Sequence, residues 1–203
     1  TARGGLAAYD PEIGLQRKIH SITNAPFRTK FENIFDEMSG IAAIGCISDT
    51  DPQPMLIRSN HGTYAICTIG IINNAEELVK EYFSDHGRQF MAMSSGSVNA
   101  TELVAALINK KENLVDGILY AQEVIKGSIT ILILTENGEL LPVFHGDAKV
   151  GKRVIHHMLL VKGERLRVER VQIKEAKLGH IARGVQVGKK VGYARLGKDG
   201  KAL

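Results

Sequence analysis

Short runs of apolar residues recur along the first 145 residues and alternate with stretches in which apolar positions are three or four apart. Apolar runs of four to eight residues bounded by turn residues are typical of buried strands. The pattern therefore predicts five strands in this part of the chain, the third of them interrupted at Gly70. They cover residues 5–9, 40–47, 63–72, 128–135 and 139–144.

Four stretches show the spacing of an amphipathic helix. In residues 29–38, the side chains of Phe31, Ile34, Phe35 and Met38 fall on one helical face. The pattern predicts three further helices, over residues 75–83, 100–110 and 114–125.

Capping and turn residues lie at the ends of these predicted elements. Asn73 and Asn74 precede the second predicted helix, and Asn99 precedes the third with Glu102 three residues later, a spacing typical of N-terminal caps. Gly127 is predicted to end the fourth helix. Turns are predicted at residues 51–54, which contain two prolines, and at residues 136–138, which end in the hairpin dipeptide Asn-Gly.

The composition is that of a globular protein. The 203 residues are 44% hydrophobic and 24% charged, with no apolar run near the roughly 20 residues of a membrane span. The start at Thr1 lacks a charged and then apolar signal segment. We therefore expect a cytoplasmic protein without membrane contact.

The charge is distributed unevenly. Residues 1–145 carry 11 lysines and arginines against 17 acidic residues, whereas residues 146–203 carry 15 against 5. This shift predicts a domain boundary at 145/146, followed by a basic, β-hairpin-rich extension with strands at 156–161 and 165–174 and a hairpin over 184–196. Such a segment is either an arm that binds nucleic acid or phosphate or a solvated basic surface.

Metal and cofactor sites are not indicated. Cys46 and Cys67 each lie in an apolar run, which favours buried, inert thiols over a disulfide framework or a zinc site. His156 and His157 are adjacent, so on a strand they face opposite ways. The glycines and lysines after residue 145 do not have the spacing of a P-loop. We expect no metal and no cofactor.

Five blocks, taken in order, resemble the class II glutamine amidotransferase domains, and among these most closely the amidophosphoribosyltransferases of purine synthesis. The corresponding family blocks read approximately RGQDSAGI, GHTRYST with a following QP, HNGNLTN and SDTEV. The likeness covers residues 2 to about 145. The blocks are residues 3–9 (RGGLAAY), 45–50 (GCISDT) with Gln53-Pro54, 68–74 (TIGIINN), 99–104 (NATELV) and 127–135 (GSITILILT).

The resemblance implies an α+β fold, the four-layer α/β/β/α sandwich of N-terminal nucleophile hydrolases. It also implies a free N-terminal cysteine that attacks the glutamine amide. Here the first family block starts at residue 3, so the first strand is expected to be missing. Thr1 is an unfavoured substitute for the nucleophile, because its neighbours match a later strand of the family.

Several positions that handle substrate in the family differ here. Ile69 replaces the asparagine that, with the following glycine, helps to form the oxyanion hole; Gly70 is kept. Ala100 replaces the carboxylate for the substrate ammonium group, and residues 46–50 contain no arginine for the substrate carboxylate. Three polar groups with three different roles are therefore lost together.

Gly70, Asn74, Thr101 and Glu102 are the candidate substrate-binding residues, and they permit two interpretations. They are either the remainder of a ligand pocket or structural residues, with Gly70 in a tight turn and Asn74 and Glu102 at helix starts. The structural interpretation is favoured.

Three hypotheses of function follow. The preferred one is a glutamine amidotransferase-like pseudoenzyme domain that binds a glutamine-like small molecule or regulates an amidophosphoribosyltransferase-like protein, with self-association through a sheet face as an open alternative. The second is an active amidotransferase whose nucleophile lies upstream of this chain. The third is nucleic-acid or phosphate binding through residues 146–203.

Overall fold

The computed structural model describes most of the first 145 residues and four short segments beyond them. The described residues are 3–49, 51–84, 90, 93–94, 97–145, 159–160, 169–170, 180–184 and 193–195. The helices are α1 (Phe27–Lys30), α2 (Ile34–Glu37), α3 (Ala75–Ser84), α4 (Ala100–Ile108) and α5 (Leu114–Val124). None of the helices in this described part is long and apolar enough to cross a membrane.

The strands pair in antiparallel fashion throughout. They are β1 (Arg3–Asp10), β2 (Gly14–Ser21), β3 (Ala42–Ser48), β4 (Met55–Ser59), β5 (Gly62–Ile72), β6 (Met93–Ser94), β7 (Ser97–Val98), β8 (Gly127–Thr135), β9 (Leu140–His145), β10 (Leu159–Leu160), β11 (Glu169–Arg170), β12 (His180–Gly184) and β13 (Tyr193–Arg195).

Two sheets contain most of these strands. One has three strands in the order β2-β1-β3, and the other has six in the order β13-β12-β9-β8-β5-β4. The longest ladder joins β5 to β8, from Tyr64 opposite Thr135 to Ile72 opposite Gly127. Mixed helices and antiparallel sheets confirm the α+β class.

Side chains of opposite faces of β5 enter two different hydrophobic clusters. Tyr64 and Ile66 pack with residues of α4 and α5, such as Leu103 and Ile118. Ala65 and Cys67 pack instead with residues of β1 and β3. The alternation follows from the period of two in a strand, and it makes β5 a central element of the molecule.

Small residues dominate the cluster that joins the two sheets. Ala7 and Ala42 from the three-stranded sheet, together with Ile44, meet Ala65 and Leu132 from the six-stranded sheet. A third cluster packs Phe31, Ile34 and Met38 against Leu6, Ala8 and Ala43. β1 is therefore packed on both of its faces, and Gly5 and its neighbours lie in the interior of the protein.

Most of the predicted elements are found, with four corrections. The strand over 63–72 is continuous, since Gly70 pairs with Ile129 within the ladder. The predicted helix over 29–38 is divided into α1 and α2, although Phe31, Ile34 and Met38 are buried as its spacing requires. Gly127 begins β8 and does not end α5. The pattern predicts neither β2, which has two apolar residues among eight, nor β4, which is five residues long.

The predicted strands of the basic extension lie only partly within the described residues. β10 pairs with β11 inside the predicted strands over 156–161 and 165–174. β12 pairs with β9 and with β13, so the last hairpin begins four residues earlier than expected. The extension therefore contributes two strands to the six-stranded sheet.

Candidate functional site

Two threonine side chains meet where β5 passes the first turn of α4. The hydroxyl oxygens of Thr68 and Thr101 are 2.6 Å apart, and both side chains are buried. A hydrogen bond between two hydroxyls in an apolar environment satisfies groups that would be costly to leave unpaired. The pair fixes the start of α4 to β5.

Gln53 provides the second link at this point. Its side-chain Oε1 accepts a hydrogen bond from the Thr68 backbone N–H at 2.7 Å, and its Nε2 donates to the Thr68 backbone oxygen at 3.0 Å. β4 pairs with β5 only as far as Met55 opposite Ile66. The carboxamide of Gln53 therefore takes over the hydrogen bonding of β5 where β4 ends.

Gln53 also touches the other sheet. A side chain at Gly5 would overlap the backbone oxygen of Gln53 and the side chain of Ile19. Gly5 lies on β1, opposite Cys46 of β3. The absence of a side chain at residue 5 thus lets the 51–54 turn pass between the two sheets and reach Thr68.

Asn99 completes this group of buried polar residues. Its side-chain oxygen accepts hydrogen bonds from the backbone N–H groups of Thr101, at 2.8 Å, and Glu102, at 3.1 Å. The predicted N-cap is confirmed, and Asn99 is itself 3% exposed. We call Gln53, Thr68, Asn99 and Thr101 the polar bridge.

Gly70 lies two residues beyond Thr68 on the same strand and is exposed. Its φ of +152° is in a region that favours glycine, and a side chain there would overlap the backbone oxygen of Ser128 on β8. The prediction of a tight turn at Gly70 is wrong. Gly70 lies within β5, and its lack of a side chain allows β5 and β8 to approach each other closely. Thr68, two residues before Gly70, is the residue that is hydrogen-bonded to Thr101.

The two replaced family positions flank the polar bridge. Ile69 is half-buried and packs against the cluster between the sheets, whereas Ala100 is the exposed first residue of α4. Glu102 is half-buried and lies two residues further along the helix. Ile69 and Ala100 are thus sequence neighbours of Thr68 and Thr101, but the Ile69 side chain faces the cluster between the sheets, on the opposite side of β5 from Thr101.

Asn74 is placed elsewhere. Its side chain donates to the Val124 backbone oxygen at 2.9 Å and accepts from the Lys126 backbone N–H at 2.8 Å. These bonds tie the start of α3 to the segment between α5 and β8, and the predicted side-chain cap of α3 is wrong. The structure thus links Thr101 to Thr68, two residues from Gly70, caps the Glu102 backbone N–H with Asn99, and bonds Asn74 to a different segment.

The remaining candidate residues are Thr1, the unfavoured nucleophile, and residues 46–50, which contain no arginine. Thr1 and Thr50 lie outside the described residues. In the same block, the Ser48 hydroxyl accepts a hydrogen bond from the Asp51 backbone N–H at 3.0 Å, and Asp51 is buried. Ser48 therefore helps to shape the turn that positions Gln53.

Metal ligands are not assembled in the part of the chain that the structure describes: no group of three or more histidine, cysteine or acidic side chains could hold an ion there. The polar bridge consists of neutral amides and hydroxyls. It can orient a backbone or donate and accept hydrogen bonds, but its members hold no charge with which to bind a charged ligand.

Gln53 and Thr68 were not predicted as site residues. Both lie in the family-like blocks, but glutamine between two prolines indicates only a turn, and threonine in an apolar run indicates only a strand. Their partnership depends on where β4 ends, which periodicity does not give.

No family model and no curated protein matches the sequence. The solved structures that are similar in fold include the following two. One is described as glutamine phosphoribosylpyrophosphate (PRPP) amidotransferase from B. subtilis complexed with ADP and GMP; it is 23% identical, with a TM-score of 0.58 over 86% of this chain and 44% of that one. The other, described as the allosteric regulatory enzyme of purine biosynthesis, is 22% identical, with a TM-score of 0.59 over 88% and 44%.

The chain thus spans less than half the length of the structures it matches. The match covers most of this chain. The resemblance drawn from the sequence is confirmed at the level of the fold: the chain has the fold of the glutamine amidotransferase domain found in PRPP amidotransferase structures.

Proposed function

We propose that this chain is a class II glutamine amidotransferase-like domain with a degenerate glutaminase site, acting as a binding or regulatory module of an amidophosphoribosyltransferase-like protein of purine metabolism. One observation carries the proposal. The members of the buried polar bridge are hydrogen-bonded, whereas Ile69 and Ala100, next to them in the sequence, are apolar. The scaffold of the site is retained without the groups that handle substrate.

The chemical reason concerns charge and hydrogen bonding. An amide hydrolase needs donors directed at the developing oxyanion, and loss of one donor typically costs about 10²–10³ in rate. Isoleucine at position 69 cannot donate through its side chain. Alanine at position 100 cannot pair with an ammonium group, so free glutamine would leave its charges unpaired on binding.

The proposed architecture is the four-layer α/β/β/α sandwich, formed by residues 1–145, with β12 and β13 of the following segment at one edge of its larger sheet. Three hydrophobic clusters support it: one between the helices α4 and α5 and the six-stranded sheet, one between the sheets, and one between α1–α2 and the three-stranded sheet. Residues 146–203 form a basic extension in this proposal. Limited proteolysis that releases a stable fragment ending near residue 145 would support the boundary.

A glutaminase assay tests the degenerate site directly. We expect the 203-residue chain to release no glutamate from glutamine above the buffer rate, and titration calorimetry with L-glutamine to give no saturable heat at millimolar ligand. The alternative is an active enzyme. It would be favoured by mass spectrometry of the natural polypeptide showing an upstream segment that begins with cysteine, together with glutaminase turnover by that polypeptide.

A variant that restores the two missing polar groups tests whether the degenerate site lies where we propose. Combining Ile69→Asn with Ala100→Asp returns a donor and a carboxylate to the two positions, so glutamine affinity should rise at least about tenfold, which corresponds to about 1.4 kcal/mol. Ile71→Asn is the matched control, because residue 71 follows on the same strand and is exposed. Equal gains in the control and in the double variant would contradict the proposed location.

A second candidate function rests on the charge of residues 146–203. With 15 basic against 5 acidic residues, this extension suits nucleic acid or phosphate as a partner. If it binds nucleic acid, affinity for a duplex should fall steeply between 50 and 200 mM salt as counterions are released. A flat response to salt would remove this candidate.

A further inference from the structure

Two thiols face each other across the interface between the sheets. Cys46 lies on β3 and Cys67 on β5, each is 3% exposed, and both belong to the hydrophobic cluster that joins the two sheets. They are the two cysteines of the chain, and both are free. Their side chains are hydrogen-bonded to each other.

The hydrogen bond makes the two sulfurs unequal. It lowers the pKa of the Cys46 thiol, because a thiolate at Cys46 accepts the bond from Cys67. Burial raises the pKa of Cys67 well above its usual value, and the neighbouring Cys46 adds to the effect. Cys46 also lies on the edge strand β3, whereas β5 lies inside the larger sheet, so we assign Cys46 as the nucleophile of the pair and Cys67 as the thiol beside it.

We infer that Cys46 and Cys67 form an intramolecular disulfide that joins the two sheets when the protein encounters a peroxide. Both sulfurs lie in one packed cluster, and an S–S bond of about 2 Å requires side-chain rotation and a shift of the two strands toward each other. The sequence favours inert buried thiols, and their burial is confirmed; the new element is that each thiol is buried against the other. This inference is independent of the proposed function.

The oxidation takes two steps. The Cys46 thiolate attacks one peroxide oxygen, the O–O bond breaks, and hydroxide leaves, which gives a sulfenic acid at Cys46. The Cys67 sulfur then attacks the Cys46 sulfur and displaces hydroxide, which leaves as water with the proton of Cys67. Two thiols are oxidised, one peroxide is reduced, and hydrogen peroxide gives two molecules of water.

The position of Cys46 explains how a small oxidant reaches it. β3 lies at one edge of the three-stranded sheet, and Ile47, next to Cys46, is 39% exposed. Edge strands open locally at a lower free energy than central ones. Cys67 on β5, flanked by β4 and β8 in the larger sheet, meets Cys46 sulfenic acid without having to reach solvent.

Intact-protein mass spectrometry after hydrogen peroxide treatment tests the inference. We expect a loss of two hydrogens in the monomer, protection of both cysteines from alkylation, and a cross-linked peptide pair joining Cys46 to Cys67. The oxidised monomer should melt about 5 °C or more above the reduced one, because the bridge closes a loop of roughly 20 residues. Reduction with dithiothreitol should reverse both changes.

The variants Cys46→Ala and Cys67→Ala separate the roles of the two sulfurs. Cys67→Ala should form a sulfenic acid at Cys46 that a dimedone probe traps, whereas Cys46→Ala should react more than tenfold more slowly. If either variant fails to fold, trapping of Cys46 in the unaltered chain at short times gives the same information. The inference is overturned by disulfides between molecules only, by sulfinic acid at Cys46 without a cross-link, or by thiols that react only in urea.

Discussion

The carboxamide of Gln53 engages both backbone polar groups of Thr68, accepting from its N–H at 2.7 Å and donating to its oxygen at 3.0 Å. A side chain thus substitutes for a strand at the place where β4 leaves β5. Both partners are buried, at 6% exposure each, so the two bonds are shielded from water. The stability of the site scaffold should therefore depend strongly on residue 53.

Replacement of Gln53 by alanine or by glutamate should destabilise the protein. Alanine leaves a buried donor and acceptor unpaired, so the free energy of unfolding should fall by about 2–4 kcal/mol in urea titrations. Glutamate keeps the acceptor, but when ionised it cannot donate to the Thr68 oxygen. Gln53→Glu should therefore also be destabilised at pH 7.

The pH dependence of Gln53→Glu gives a sharper check. Burial should raise the pKa of the introduced carboxyl in the folded state above its unfolded value. Its neutral form can donate to the Thr68 oxygen, so this contribution to stability is present at low pH and is lost as pH rises through the folded pKa. Relative to the unaltered chain, the variant should gain stability from pH 7 to pH 4; a constant difference would contradict the bonding assigned to Gln53.

The hydroxyl pair of Thr68 and Thr101 should behave as a unit. Thr68→Val or Thr101→Val alone leaves the other hydroxyl buried without its partner, and each should lower the free energy of unfolding by about 1–3 kcal/mol. The double variant replaces both by methyl groups of similar shape. It should be less destabilised than the sum of the single changes, with a coupling of about 1 kcal/mol or more in a double-mutant cycle. Strict additivity would show that the 2.6 Å contact does not contribute to stability.

Some features of this site follow directly from the sequence. Asn99 is identifiable as an N-cap because asparagine precedes an amphipathic pattern and Glu102 follows at the expected spacing, and the cap is present. The strands that carry Thr68 and Ile129 are identifiable as apolar runs rich in β-branched residues. In these cases the residue types that lie near one another in the sequence are sufficient to predict the structure.

Other features depend on contacts between distant segments. Asn74 has the residue type and position of a helix cap, yet its carboxamide bonds Val124 and Lys126, some fifty residues away. Gly70 is typical of a turn but serves the close approach of β5 to β8. Local preferences lose in both cases because contacts with a distant segment decide the role: hydrogen bonds to another part of the backbone for Asn74, and a close backbone approach for Gly70. The role of Gln53 has the same origin.

The caps of α4 and α5 provide a matched pair of asparagines. Asn99 accepts from two backbone N–H groups and is buried, whereas Asn113 accepts from the Asp116 N–H in an exposed position. Asn113→Ala should cost about 0.5–1 kcal/mol and Asn99→Ala about 2 kcal/mol, because the latter also leaves buried donors unpaired. Urea titrations of both variants measure the difference, and equal costs would argue against a special role for Asn99 in the polar bridge.

Gly5 should tolerate substitution far less well than Gly14, for different physical reasons. Gly14 has a φ of +86° and open space around it, so Gly14→Ala meets backbone strain alone and should cost about 1 kcal/mol. Gly5→Ala would push a methyl group into the backbone oxygen of Gln53, which cannot give way without moving the 51–54 turn. Its cost should exceed 2 kcal/mol in urea, and exchange of the Thr68 amide hydrogen should accelerate as the bond from Gln53 is lost. Unchanged protection of that amide in Gly5→Ala would show that the turn can shift without breaking the polar bridge, and would separate Gly5 from the stability of the site.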